Sequence, residues 1–365
     1  MRIDRVRIEN FKSLREIDVS LNNLTLITGR NSGGKSSFIQ SLLLLKQNED
    51  NFYTRLQKTL IHNGGYTELG NKKDILFQDA HEDKIIISIF TSNVKTSLIF
   101  NNKDLKINLE STDENIFDIY NLFNESFQYI TTDRAIPSIT YKLSDTSIEQ
   151  NQIGFRGEYT AHYLAENRRK ELKIEALKHP NSITNQLLEN VSLWLSEISD
   201  GIAILAKVNT DFQQVSLTYQ YTYKDTTTSE YTPLNVGFGI TYVLPIIVAV
   251  LKAKEGDLLI LENPESHLHP AAQSKIAELC AIASANGVQI IVETHSDHFL
   301  NGIRVATKKG ILTPEQSKVY YFRKDKDELE TKIDEINIDK NGGIDNYPKG
   351  FFDQFDDDLD KLITW

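Results

Sequence analysis

The residues of this chain best suited to chemistry begin at Gly29. They form the run Gly29-Arg30-Asn31-Ser32-Gly33-Gly34-Lys35-Ser36, which fits the pattern G-x-x-x-x-G-K-[ST] in full. Glycines allow successive backbone N–H groups to curl around a β-phosphate, and the N-terminus of a following helix adds a favourable dipole. Lys35 would bridge the β- and γ-phosphates, and Ser36 would ligate Mg²⁺. The candidate binding residues of this phosphate loop are Gly29, Asn31, Ser32, Gly33, Gly34, Lys35, Ser36 and Ser37.

A chance glycine turn with a surface lysine is the alternative, and the flanking elements argue against it. Leu24 to Thr28 is a short apolar run that predicts a buried strand, and Ser36 to Lys46 has the length of a helix and no breaker. Before them, Arg2 to Glu9 and Glu16 to Leu21 alternate as two paired strands do. The order of strand, glycine loop and helix is the context that the phosphate-loop pattern requires.

A second group of reactive side chains follows two apolar runs nearer the C-terminus. Leu258 to Leu261 predicts a strand that ends in the carboxylate of Glu262, which is a suitable ligand for a hard cation beside a phosphate loop. After a helix predicted over Ala271 to Ala285, the strand Gln289 to Glu293 leads into Thr-His-Ser. His295 would then lie where it can sense a γ-phosphate.

The segment between these two groups predicts an antiparallel lobe and a helical insertion. Lys84 to Phe90 and Thr96 to Phe100 alternate and are bounded by Asn, Asp and Gly. Tyr159 to Lys178 and Ile183 to Ile198 have helical spacing, and Val215 to Lys224 returns to strand alternation. The whole predicts an α/β fold with a mixed sheet, an antiparallel β lobe and a helical insertion.

Composition and charge limit the classes of protein to which the chain can belong. It has 365 residues, a net charge of −11 and 40% hydrophobic residues, which is ordinary usage for a folded protein. The acidic balance argues against broad binding of nucleic-acid phosphates, although a local basic groove stays open. Met1 to Phe11 has no stretch suited to a signal peptide, and Ile240 to Leu251, which contains Pro245, is too short to cross a bilayer. With Cys280 as the one cysteine, we expect a cytoplasmic protein that does not engage membranes.

The motifs together resemble those of ABC-type ATPases of the RecF, SMC and OLD class. More closely, the chain is similar to small bacterial OLD-like ATPases with a C-terminal domain of unknown function, such as those of Septu-like and retron-associated anti-phage defence systems. The matching residues are the phosphate loop, Arg7 to Ser13, Glu262 to Pro270 and Glu293 to Ser296. The resemblance implies an ABC-type P-loop ATPase head with ATP and Mg²⁺ as cofactors, Mg²⁺ being held by Ser36 and Glu262.

The resemblance also implies a division of the chain. Residues 1–110 would be the N-terminal ATPase lobe, and residues 111–230 an insertion with the helical pair. Residues 231–312 would be the C-terminal ATPase lobe, and residues 313–365 a C-terminal cap domain of unknown function.

Members of this class meet head to head, with each phosphate loop facing a signature motif of the other protomer. The candidate here is Asn235 to Gly239, in which Gly237 stands where a serine is usual. Gly237 and Gly239 would then offer backbone N–H groups at a helix N-terminus to the partner's γ-phosphate. The plain alternative is a loop before a buried helix.

A departure from the class affects hydrolysis. Members usually have two adjacent carboxylates after the apolar strand, whereas this chain has Glu262 followed by Asn263. Asparagine cannot accept a proton. Glu265 can replace the missing base, His295 and ordered dipoles can suffice, or hydrolysis is slow and ATP-bound dimers persist. The candidate catalytic residues are Glu262, Asn263, Glu265 and His295, and we expect a slow ATPase.

Other charged and metal-binding side chains have weaker patterns. Lys12 and Arg15 would contact phosphate in this class, or are ordinary surface charges. Arg134 would lie at a nucleotide or dimer surface, or is a plain surface or salt-bridge residue. Four histidines could instead form a zinc site, although no cysteine ligand accompanies them. These histidines are His267, His269, His295 and His298.

The C-terminal part is too short for the Toprim nuclease domain of OLD nucleases, so no intrinsic nuclease domain is expected. Asp356 to Asp358 is interpreted as a solvated acidic run.

These inferences lead to one main hypothesis and two alternatives. The chain would be an ATPase that forms a homodimer or higher even oligomer around Mg-ATP and regulates or activates an effector, such as a nuclease or toxin, in anti-phage defence. It could instead be a non-hydrolysing scaffold clamped by ATP, or a RecF-like repair factor that binds DNA ends or gaps.

Overall fold

A computed structural model describes residues 1–53, 58–113, 119–224, 226–325 and 328–363. The strands in chain order are β1 (Arg5–Phe11), β2 (Leu14–Ser20), β3 (Leu24–Gly29), β4 (Lys58–Thr59), β5 (Lys84–Thr91), β6 (Val94–Asn101), β7 (Lys106–Ser111), β8 (Gln128–Ile130), β9 (Thr140–Lys142), β10 (Ile202–Asn209), β11 (Gln214–Tyr223), β12 (Thr226–Thr227), β13 (Leu258–Glu262), β14 (Gln289–Glu293), β15 (Ser317–Lys324) and β16 (Thr331–Ile336). The helices are α1 (Lys35–Gln47), α2 (Glu49–Tyr53), α3 (Asp145–Glu149), α4 (Thr160–Asn167), α5 (Leu187–Ser196), α6 (Phe238–Leu251), α7 (Pro270–Ala285), α8 (Asp297–Lys308) and α9 (Gln354–Ile363).

The chain divides into two compact units. The first contains Met1–Asn124, Ser317–Asp339 and Gly343–Trp365, and the second contains Glu125–Gln316 and Lys340–Gly342. Apart from Lys340–Gly342, the residues after 316 therefore return to the unit that contains the N-terminus. The four-segment division proposed from the sequence stays a prediction.

The first unit contains an antiparallel sheet in the order β2-β1-β5-β6-β7-β4. Its central register pairs Ile8 with Ile17 on one side and with Ile87 on the other. These three side chains are buried, while Arg7 and Glu9 on the opposite face form an ion pair of 3.0 Å. The alternation read from the sequence thus gives a sheet with one apolar face.

The phosphate loop of the first unit lies between β3 and α1. Strand β3 pairs in parallel with β15, and β15 pairs antiparallel with β16. Phe38 of α1 packs edge-on against Phe322 of β15, with ring centroids 5.8 Å apart. This contact fixes the helix against the strands, and both rings are fully buried.

The second unit contains the parallel strands β14, β13 and β8, of which β13 is central. Helix α6 is buried from Ile240 to Leu251 in spite of Pro245. Gly157 (φ +69°) lies against that proline, and a Cβ at Gly157 would stand 2.4 Å from its Cγ. Strands β10 and β11 form an antiparallel pair, with β9 and β12 bound to β11.

The helical insertion differs from the sequence prediction in its bounds. The predicted helix Tyr159 to Lys178 ends at Asn167, because the chain turns there and Leu187 N–H donates to the Lys170 carbonyl. The second predicted helix begins at Leu187 rather than Ile183, since the Glu189 carboxylate accepts the N–H groups of Ile183 and Thr184 at 2.8 and 3.0 Å. Local capping and non-local pairing therefore shorten both helices.

Two features of the composition concern the cysteine and the apolar segments. Cys280 is a free cysteine buried in α7, as expected for a core residue. Among the helices within the described ranges, none combines the length and the apolar character that a bilayer crossing requires.

Candidate functional site

The phosphate loop presents a buried lysine and an exposed polar rim. The Lys35 ammonium donates to the carbonyl oxygens of Gly29 and Arg30, each at 3.0 Å, and its side chain is buried. Asn31, Ser32 and Ser36 are exposed, and Ser37 is half-buried. The loop backbone is therefore held closed by its own lysine, while the polar side chains predicted to meet phosphate and Mg²⁺ face solvent.

The loop glycines are required by packing as well as by phosphate geometry. Gly29 has φ +141°, and a Cβ there would stand 2.0 Å from the Phe322 carbonyl oxygen. Gly34 has φ +103°, and a Cβ there would stand 2.2 Å from Oγ1 of Thr331. L-residues rarely adopt such φ values, so larger residues would be strained as well as crowded. The partners on β15 and β16 lie about 300 residues further along the chain, so the motif pattern does not reveal them.

The loop fits a bound phosphate group. The N-cap of α1 is Gly34, which has no side chain to cap the helix. The N-terminus of a helix attracts anions through its backbone N–H groups and its dipole. The exposed hydroxyl of Ser36 at the same end is a suitable oxygen ligand for a Mg²⁺ ion that accompanies the phosphates.

Lys12 lies against the helix that follows the loop. Its ammonium donates to Oε1 of Gln40 in α1 at 2.7 Å, and burial lowers the pKa of Lys12. Arg15, the other early cation, lies 3.7 Å from the Glu330 carboxylate. Both residues therefore have partners within the first unit, and contact with phosphate stays a prediction for each.

Glu262 ends β13 in a pocket of hydroxyl and amide donors. Its Oε2 accepts from the N–H of Thr132 at 3.2 Å and from the hydroxyls of Thr132 and Thr131 at 3.3 and 3.5 Å. Burial raises the pKa of Glu262, and these hydrogen bonds oppose that effect. The carboxylate is thus oriented by the segment after β8, which sequence reasoning did not connect to it.

Arg134 is buried beneath the same segment, which corrects the interpretation of it as a surface residue. Its Nη2 donates to the carbonyl oxygens of Glu262 and Asn263, the latter at 2.9 Å. The guanidinium lies 4.7 Å from the centre of the Tyr242 ring, and desolvation lowers its pKa to about 10. Nε and Nη1 are buried and have no hydrogen-bond partner within the described part of the chain. Arg134 therefore supports the backbone that presents the candidate catalytic residues.

Asn263 and Glu265 shape the turn after β13. Asn263 has φ +44°, donates its backbone N–H to the Glu293 carbonyl at 2.8 Å, and donates its side-chain amide to Thr132 at 3.0 Å. Oε1 of Glu265 accepts the N–H of His295 at 2.8 Å, whereas Oε2 is buried with no hydrogen-bond partner in the residues described. Burial raises the pKa of Glu265. One oxygen of this carboxylate is therefore free to accept a proton.

His295 is brought next to Glu265 by its backbone, and its imidazole is exposed. The following residue, Ser296, caps α8 by accepting the N–H of Phe299 at 2.9 Å. Its hydroxyl also donates to Gln273 of α7 at 2.5 Å. The turn that presents His295 is thus fixed to two helices of the second unit.

The candidate signature loop packs on the turn after β13. Gly237 caps α6, and the Phe238, Tyr242 and His267 rings form a cluster with centroids 4.8 to 5.2 Å apart. A Cβ at Gly239 would stand 2.3 Å from the His267 carbonyl oxygen. Within the second unit the structure therefore brings together the signature candidate, Glu262, Asn263, Glu265 and His295. The phosphate loop and Lys12 belong to the first unit.

The histidines do not form a zinc site within the described ranges, where no group of three or more His, Cys, Asp or Glu side chains is placed to hold a metal ion. His267 instead packs among aromatic rings, and Nδ1 of His269 accepts the Ala271 N–H at 3.3 Å to cap α7. The zinc alternative has no structural support among these residues.

Two family models match parts of this chain. Residues 24–301 match the family model described as "AAA domain, putative AbiEii toxin, Type IV TA system". Residues 312–362 match the model described as "Protein of unknown function (DUF3696)". No curated protein matches the chain.

Two solved structures show the fold. The chain is similar to an Smc head bound to the C-winged helix domain of ScpA, with 14% identity, 93% of this chain and 99% of that chain covered, and a TM-score of 0.57. It is also similar to an Smc head domain with an extended coiled coil bound to the C-terminal domain of ScpA, derived from Pyrococcus furiosus, with 11% identity, 100% of both chains covered and a TM-score of 0.53. The predicted ABC-type ATPase head fold is confirmed.

Proposed function

This chain belongs to the AAA domain family that its residues 24–301 match, and we propose on that premise that it binds Mg-ATP and hydrolyses it slowly. The observation that most supports ATP binding is the phosphate loop. Its lysine is held by the Gly29 and Arg30 carbonyls, and the loop ends at the N-terminus of α1, where Gly34 is the cap residue. Gly29, Gly33 and Gly34 would surround the phosphates, and Lys35 would neutralise their charge.

Slow hydrolysis follows from the turn after β13. Glu262 would hold Mg²⁺ together with Ser36, and Asn263 cannot accept a proton. Glu265 has a buried, unengaged oxygen and a raised pKa, so it is the best acceptor for the proton of an attacking water. His295, exposed beside it, would contact the γ-phosphate. The chain would thus keep turnover through Glu265, at a reduced rate.

ATP binding is tested before hydrolysis, because a binding assay reports on the phosphate loop whether or not ATP is hydrolysed. Lys35→Ala should weaken the equilibrium binding of a fluorescent ATP analogue by roughly 10- to 100-fold, since a hydrogen bond to a charged group contributes about 1.5–3 kcal/mol. Lys95→Ala, which alters an exposed lysine of β6, is the matched control and should bind normally. Equal affinity in the Lys35 and Lys95 variants would exclude the phosphate loop as the ATP site.

We further propose that two protomers meet around ATP. Leu234 and Phe238, at the entry to α6, are 57% and 42% exposed, and the α6 N-terminus has no side-chain cap. A second copy would cover these apolar side chains and offer its phosphate loop to the free N–H groups. Leu234→Asp should abolish the doubling of mass that a non-hydrolysable ATP analogue causes, whereas Ile183→Asp, at an 89% exposed position of the same unit, should not. Light scattering of the eluting protein measures both, and an unchanged dimer in Leu234→Asp would contradict this arrangement.

The ATP-bound dimer would regulate an effector, such as a nuclease or toxin, in anti-phage defence. The support is the family description, which names a toxin and a type IV system. If this role is correct, cells that express the chain with its neighbouring genes should plate phage less efficiently than cells with Lys35→Ala. Equal plating by the two strains would contradict it.

The alternatives make different predictions for the same protein. Asn263 favours a scaffold clamped by ATP, which would bind nucleotide tightly without turnover. A RecF-like repair factor would bind DNA in a salt-sensitive, ATP-dependent way, which the net charge of −11 disfavours.

A further inference from the structure

A pocket of about 730 Å³ in the first unit joins the phosphate loop to the C-terminal segment. Arg30 and Asn31 contribute the loop side, and residues at the end of β15, in β16 and in the turn before α9 contribute the rest. The lining residues that would contact the anion are Arg30, Arg323, Lys324, Asn346 and Lys349. The volume is within the usual range of small-ligand sites.

The pocket is cationic. Its lining has four basic side chains and two carboxylates, Asp325 and Asp334. Asp334 is engaged by Arg323 at 2.8 Å. Arg30, Lys324 and Lys349 have no ion-pair partner among the described residues. Three cations that line one concavity and have no ion-pair partner in the described ranges favour an anion with several charges.

The position of Arg30 depends on the C-terminal turn. Gly350 has φ +90°, and a Cβ there would stand 2.6 Å from the Tyr321 hydroxyl and 2.8 Å from a terminal nitrogen of Arg30. The Gly350 N–H donates to the Asp353 carboxylate at 2.7 Å, and Phe351 packs edge-on against Tyr321 at 5.7 Å. The turn at Gly350 therefore lies directly against Arg30 of the phosphate loop.

We infer that this pocket binds a second, compact phosphate-rich anion, separate from the nucleotide held by Lys35. Planar guanidinium groups, ammonium groups and amides are the donors that phosphoryl oxygens require. A compact ligand is favoured over a nucleic-acid strand because the cations line a concavity in a chain of net charge −11. The anion is free polyphosphate or the phosphates of a second nucleotide. The inference rests on the proposed function only in assigning ATP to the phosphate loop.

The test uses the full chain with its phosphate loop saturated by Mg-ADP. Calorimetric titration with tripolyphosphate should show one site, and the double variant Lys324→Gln/Lys349→Gln should weaken that binding at least tenfold. Lys361→Gln, which neutralises an exposed lysine of α9 outside the pocket, should leave it unchanged. Gly350→Ala, which displaces Arg30, should also weaken tripolyphosphate binding.

The number of ATP molecules bound per chain distinguishes the two sources of the anion, free polyphosphate and a second nucleotide. Two ATP equivalents in the wild-type chain and one in the double variant identify a second nucleotide, whereas one equivalent in both identifies free polyphosphate. The inference would be overturned if tripolyphosphate did not bind, or if the double variant and Lys361→Gln changed its binding equally. It would also be overturned if an oligonucleotide bound more tightly through the same lysines. Normal ATP binding with no tripolyphosphate binding would refute this inference alone, while loss of both would refute the proposed function as well.

Discussion

Arg134 shows how a single buried cation can organise the backbone of the turn after β13. It donates to the carbonyl oxygens of Glu262 and Asn263, and it is only 1% exposed. A buried carbonyl that loses its donor costs about 1–3 kcal/mol. Because Nε and Nη1 are themselves unpartnered in the described chain, the arginine is retained at some cost to stability. This favours a role in fixing the turn.

Arg134→Met should lower the free energy of unfolding by roughly 2 kcal/mol, because both carbonyls lose their donor. It should also reduce ATP turnover more than ATP binding, since the turn presents Glu262 and Glu265 rather than the phosphate loop. Urea unfolding and steady-state kinetics measure the two effects. The exposed Arg168→Met is the control, and equal behaviour of the two variants would contradict the role given to Arg134.

Glu265 should make stability depend on pH in a defined direction. Burial raises its folded-state pKa above the ordinary value of 4.5, so the ionised form is disfavoured by folding. The cost is absent below pH 4.5, grows as pH rises through the folded pKa, and is constant above it. Glu265→Gln should therefore unfold less readily than the wild-type chain at pH 8, with the difference vanishing toward pH 4.5. Denaturant unfolding across this range tests the sign, and a wild-type advantage at pH 8 would contradict it.

At the level of elements, α6 and the turn after β13 act as one packed unit. Gly239 approaches the His267 carbonyl, and the Phe238, Tyr242 and His267 rings close the contact. Movement of the signature candidate therefore displaces the turn that contains Glu265. If the proposed dimer forms through α6, this packing would link its contacts to the proposed hydrolysis.

Two glycines of the same loop give a matched test of this packing. A Cβ at Gly239 would stand 2.3 Å from the His267 oxygen, whereas at Gly237 the nearest atom is 3.8 Å away. Gly239→Ala should lower the free energy of unfolding by about 1–3 kcal/mol through overpacking, and Gly237→Ala should leave it nearly unchanged. Thermal or urea unfolding of both variants is the measurement. Similar free energies of unfolding for the two variants would mean that the loop moves away from His267 without cost, which would contradict this packing role.

The elements that could be predicted from the sequence are those determined by residues close together in the chain. The phosphate loop, its flanking strand and helix, and the apolar strand ending at Glu262 follow from short motifs and periodicity. The support given by Arg134 could not be predicted, because its partners lie more than 120 residues away. The crowding of Gly29 by Phe322 and the early end of α4 at Asn167 likewise depend on non-local pairing. Contacts of this kind leave no periodic signal.

At the level of the whole molecule, the candidate machinery is distributed over two units. The first contains the phosphate loop, Lys12 and the cationic pocket, and the second contains Glu262, Glu265, His295 and the signature candidate. Because the C-terminal segment returns to the first unit, changes near Gly350 should affect the anion pocket without altering the turn after β13. Each of these substitutions therefore lies within one of the two units.

We propose that the chain is a slow ATPase whose base is Glu265. Phosphate release from Mg-ATP by the purified wild-type chain, Lys35→Ala and Glu265→Gln tests it most directly. We predict slow release that is lost in Lys35→Ala and falls by about a hundredfold in Glu265→Gln, as expected for removal of a general base. Wild-type rates in Lys35→Ala would contradict the claim, and tight ATP binding with no release from the wild-type chain would replace it with an ATP-clamped scaffold.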